Sequence, residues 1–151
     1  MKAFRFRLEQ ALRWRCAQAD LEKSRTAAVA ARVSAVQTQL ESRRNELSAA
    51  ARDLAAGAPG AALESWTAYS RRLRREIADN EKQLKEAERA LGEQLRLLAE
   101  ARRKVRLLEN LKQSGQADWN AELDRELEAF AGEAFLIGYN RESRRARSSG
   151  G

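Results

Sequence analysis

The first 56 residues contain neither glycine nor proline, and then Gly57-Ala58-Pro59-Gly60 places three helix breakers within four positions. Proline removes a backbone donor and glycine supplies turn geometry, so this punctuation predicts two long helices joined by a short turn. Beyond the turn, only Gly92 and Gly115 interrupt the sequence before Gly132. One isolated glycine costs a helix about 1 kcal/mol relative to alanine, so Gly92 is tolerable, and Gly115, next to Ser114, is a candidate kink. The expected elements are helix 1 over about 4–56, a turn at 57–61, and helix 2 over about 62–140 with that kink at 114–115.

Apolar spacing says how the helices are used. Alternating steps of three and four pick out Leu8, Leu12, Arg15, Ala19, Glu22, Thr26, Val29, Val33, Val36, Leu40, Arg43, Leu47, Ala50 and Leu54, of which ten are apolar. After the turn the same steps give Leu63, Trp66, Ser70, Leu73, Ile77, Asn80, Leu84, Ala87, Leu91, Gln94, Leu98, Ala101, Val105 and Leu108, of which eleven are apolar. This is the seam of a coiled coil rather than the alternation of a strand. Neither narrow stripe can leave water alone, so the two fold back on each other. The fold class expected is all-α, a long antiparallel two-helix coiled-coil hairpin with helix 2 extending beyond helix 1. A turn near Pro59 makes facing residue numbers sum to roughly 120, which sets Leu54 near Trp66, Leu12 near Leu108, and Phe4 opposite 114–115.

Helix 2 therefore outruns its partner. Over 116–140, Trp119, Leu123, Leu127, Phe130, Ala134 and Ile137 form a stripe with no partner in this chain, which implies another surface to cover it. Residues 141–151 carry four Arg and one Glu and read as a disordered basic tail. They supply three units of the net charge of +7, so the body is less basic than the total suggests.

Composition closes several function classes. With no histidine there is no imidazole base, no Ser-His-Asp or Cys-His pair and no ordinary catalytic zinc site. Cys16 is the only cysteine, so no internal disulfide can form, which suits a reducing cytoplasm. No stretch reaches the ~18 apolar residues of a membrane span, and the basic start lacks the apolar run of a signal peptide. No enzyme activity, catalytic residue, cofactor or metal site is expected.

Among the polar features, Arg15, Glu22, Arg43, Asn80 and Gln94 occupy seam positions. They read as register-fixing devices or, by default, as side chains whose tips snorkel out of a thin core. Arg71-Arg72-Leu73-Arg74-Arg75 and Arg102-Arg103-Lys104 are basic runs, but the residues of such a run point in different directions around a helix and have Glu within reach. No aromatic interleaving accompanies them, and nucleic acid is not the expected partner. The N-terminal run is more specific: Phe4-Arg5-Phe6-Arg7 alternates and then gives way to helical spacing at Leu8 and Leu12, with a staple onto helix 2 near Leu111 as its local structural role.

These residues resemble the FliJ family, small components of the bacterial flagellar type III export apparatus. The family start, F-x-F-x-L-x-x-L-L-x-x-R, is met by Phe4, Phe6, Leu8, Leu12 and Arg15. The aromatic and Leu/Ile pattern after its turn is similar to Trp66, Tyr69, Leu73 and Ile77. Its l-E-x-L-k segment is matched by Leu108-Glu109-Asn110-Leu111-Lys112, and its R-E-x-x-x-[LF] element by Arg125, Glu126 and Phe130. The likeness runs to residue 140 and departs at Ala131-Gly132, where the family often has Asp-Glu.

The resemblance implies a stalk similar to the central shaft of rotary ATPases. One end would insert into the hexameric export ATPase, the turn end would face the membrane export gate, and the protein would escort empty export chaperones. It further implies Phe4, Phe6, Arg125, Glu126 and Phe130 at the ATPase end, Trp66 and Tyr69 at the gate end, and a cytoplasmic protein peripherally bound to the inner membrane at the flagellar base. The residues alone leave two other readings open: a basic coiled coil that binds nucleic acid or anionic membrane, and a self-associating structural coiled coil.

Overall fold

Two helices, packed against each other, account for the secondary structure of the computed structural model, which describes residues 2–57 and 60–150. Helix α1 spans Glu9–Ala55, helix α2 spans Gly60–Ser148, and there is no strand among the described residues. The chain is an antiparallel helical hairpin whose second helix, at 89 residues, is the longer by far. It divides into two compact units, Trp14–Lys104 and a terminal unit of Met1–Arg13 with Val105–Gly151. Among the described residues no helix is long and apolar enough to cross a membrane.

The ends of α1 follow from local chemistry. Residues 2–6 are not helical, and the Glu9 N–H donates to the Phe6 carbonyl at 3.2 Å. Glu9 places a carboxylate in the first turn, at the positive end of the helix dipole. Helix 1 thus starts five residues later than its expected boundary at 4, the non-helical residues before it being tied to Trp119 through the Phe4 ring and the Lys2 carbonyl. At the other end Gly57, at φ 102°, takes the left-handed conformation that L side chains avoid and donates to the Leu54 carbonyl at 3.2 Å. The expected turn at 57–61 falls partly on residues 58 and 59, which lie outside the described residues.

In the Trp14–Lys104 unit the seam is where the heptad spacing puts it. Val33, Val36 and Leu40 of α1 are buried, as are Leu73, Ala87 and Leu98 of α2, with Leu73 at 1% exposure the most enclosed. Burial of side chains this size contributes roughly 1.5–3 kcal/mol each. Cross-helix contacts report the register through their residue numbers. Trp66 Nε1 donates to the Ala50 carbonyl at 3.0 Å and Gln94 Nε2 bonds the Glu22 carboxylate, both pairs summing to 116. Arg43 Nε lies 3.1 Å from Glu76, a sum of 119, and Arg44 lies 3.0 Å from Glu81, a sum of 125.

The polar seam residues are accommodated rather than exposed as breaks. Arg43 joins Glu46 on its own helix to Glu76 on the other, and Glu76 also receives Arg72, so one member of the basic run at 71–75 is paired. Arg15 lies 4.7 Å over the ring of Trp14, a cation–π stack that shelters its stem. Asn80 is 6% exposed and sits fully within the seam.

Helix α2 differs from expectation at two places. It is continuous through 114–115, where a kink was a candidate, because the glycine there costs little in a helix already propagating on both sides. It also runs to Ser148, into the segment expected to be a disordered tail. Between Gly138 and Ser148 there is no glycine or proline, and each added residue gains a hydrogen bond at low entropic cost. Arg145 and Arg147 fall in the last turn, where cations suit the negative end of the dipole.

Candidate functional site

The terminal unit holds the candidate site, and two different surfaces meet the residues assigned to it. The first is the anchored N-terminal strap. The Phe4 ring lies 3.5 Å from where a Cβ on Gly115 would stand, an ordinary van der Waals distance, so the ring packs on α2 at this position. Its centroid is 6.4 Å from that of Trp119, the rings inclined at 53°, within the range of favourable aromatic pairs. Trp119 Nε1 donates to the Lys2 carbonyl at 3.1 Å, and Lys112 Nζ lies 2.9 Å from Glu9. Phe4 and Phe6 are both half-buried.

The second surface is the bare stretch of α2. Trp119 and Leu123 are half-buried, and from residue 124 to 142 every residue is exposed. Phe130 stands at 71% exposure, and Arg125 and Glu126 are exposed beside it. At 1.5 Å per residue Phe130 is ~16 Å along the helix from Trp119, so the structure separates it from Phe4 instead of uniting the two in one pocket. Phe4 packs inward as an anchor, whereas Arg125, Glu126 and Phe130 are free to meet another molecule.

Trp66 and Tyr69 belong to the other unit. Trp66 is a seam residue with its indole N–H bonded to Ala50, while Tyr69 is exposed. Of the two, Tyr69 is exposed and Trp66 half-buried.

Sequence reasoning missed two features. The ion pair of Glu9 with Lys112 has residue numbers that sum to 121, so the facing rule could have found it. Phe135 (74% exposed), Leu136 and Tyr139 are also bare, yet they lie off the stripe of three-and-four spacing and carried no periodic signal. Among the described residues no group of three or more His, Cys, Asp or Glu side chains is gathered as metal ligands would be. No protein-family model, characterised protein or solved structure matches the chain.

Proposed function

We propose that this protein is a non-enzymatic, stalk-like coiled coil of the bacterial flagellar type III export apparatus, linking the export ATPase to the membrane export gate and escorting export chaperones. One observation carries the reading: α2 outruns α1 and presents Leu127, Phe130 and Ile137 uncovered on a helix that is otherwise packed along its seam. Large bare apolar side chains in a row mark a binding surface, and a helix whose apolar residues recur at three and four positions is the form that lays into a partner's groove. The Phe-x-Phe start and the Arg125-Glu126-Phe130 element, in FliJ order and spacing, add the choice of partner.

On this reading Arg125, Glu126 and Phe130 contact the ATPase hexamer, while Phe4 and Phe6 hold the strap that shapes the neighbouring surface. Tyr69 serves the gate side, with Trp66 fixing the seam behind it. The protein works at the cytoplasmic face of the inner membrane, bound peripherally at the flagellar base. The test is to mix the purified chain with its cognate export ATPase and measure hydrolysis and hexamer formation. Stimulation that is lost in Phe130→Ala supports the assignment; no binding and no stimulation at micromolar concentrations overturns it.

A further inference from the structure

The bare part of α2 has a charge order that its proposed docking role does not use. Between 116 and 133 there are six carboxylates against one cation, Arg125; between 134 and 148 there are four arginines against one carboxylate, Glu142. The uncovered apolar residues Leu127, Phe130 and Ile137 lie across the change of sign. A single helix that is acidic and then basic along an apolar stripe is complementary to itself when turned end for end, the condition for a two-fold symmetric contact.

We infer that a second copy of this chain covers the stripe, with the two α2 segments antiparallel about a two-fold axis near residues 133 and 134. Setting Phe130 of one copy level with Ile137 of the other puts Glu126 level with Arg141 and Glu122 level with Arg145, each pair occurring twice. These charges are exposed in the single chain, and among the described residues none of the four is engaged in an ion pair. Parallel pairing would instead set the six carboxylates against themselves. The contact uses Glu126 and Phe130, so the dimer and a partner bound at those residues exclude each other, and dimerisation stands or falls without any export ATPase present.

Sedimentation equilibrium of the full chain from micromolar to near-millimolar concentration at low ionic strength reads the mass directly. Twice the 17.0 kDa chain mass is expected, with association weakening as salt is raised toward ~1 M, where exposed charges are screened within ~3 Å. Arg141→Glu/Arg145→Glu and Glu122→Arg/Glu126→Arg should each weaken self-association by about tenfold or more, and mixing the two variants should restore pairing as a heterodimer. Orientation is read separately in a Cys16→Ser background. Ala134→Cys forms a disulfide-linked dimer on mild oxidation, whereas Arg144→Cys, on the stripe face, links to Leu123→Cys and not to itself. A mass that stays at 17.0 kDa throughout, leaving the stripe to a different protein or a lipid surface, overturns the inference. So does a dimer indifferent to both charge reversals, or one in which Arg144→Cys links to itself.

Discussion

The two regions of α2 are built from similar side chains and serve opposite ends. Over 66–98 its apolar positions face α1, and Leu73, Ala87 and Leu98 are buried. Over 127–139 leucine, phenylalanine, isoleucine and tyrosine stand more than half exposed on an equally regular helix. The difference lies in the partner, not in the helix, since backbone hydrogen bonds within a helix form whether or not one face is covered. Burial between the helices therefore belongs to the first region, and the second leaves its apolar side chains bare.

Substitutions can break that division, and the largest effect is expected in the seam. Leu73→Ala removes the most enclosed side chain and should cost about 2–4 kcal/mol, read as a lowered urea midpoint. Phe4→Ala removes the ring resting on Gly115 and should cost about 1–2 kcal/mol, less than a core phenylalanine because Phe4 is half-buried. Hydrogen exchange should localise that loss to residues 112–123, leaving protection around Leu73 unchanged. Asn80→Leu replaces a buried amide in the seam with an apolar side chain and should stabilise by about 1 kcal/mol while loosening the register, checked by melting and by cross-linking between the helices. Phe130→Ala should fall within about 0.5 kcal/mol of the parent in dilute solution, because nothing in the single chain covers the ring. A loss as large as that of Leu73→Ala would end the distinction between the two regions.

How much of this could be read in advance depended on whether the signal was local. Thirteen of the fourteen heptad positions proposed for each helix are buried or half-buried, because a period of three and four fixes one face regardless of what covers it. The exceptions have simple causes. Leu8 precedes the first residue of α1, and Leu63 lies in the first turn of α2, beside the chain reversal. The helix over 141–148 is illegible in the sequence because an arginine-rich composition reads as a free tail, whereas the segment inherits a helix already nucleated. In the candidate site, the spacing gave the exposed Phe130 and the place of Phe4 opposite 114–115. It did not reveal that Phe4 turns inward, since an aromatic near a chain end reads the same as an anchor or as a contact.

The long-range hydrogen bonds made by α2 also differ in how much chain they close. Trp66 reaches an acceptor 16 residues away, Gln94 one 72 away and Trp119 one 117 away. Made directly from the open chain, the last would cost about 2 kcal/mol more closure entropy than the first. Made in order from Gly57 outward, each contact closes only the short stretch left by the one before. The hairpin is thus expected to assemble by zipping, and the indole bond to Lys2, the last to form, is the first to be lost when the molecule opens.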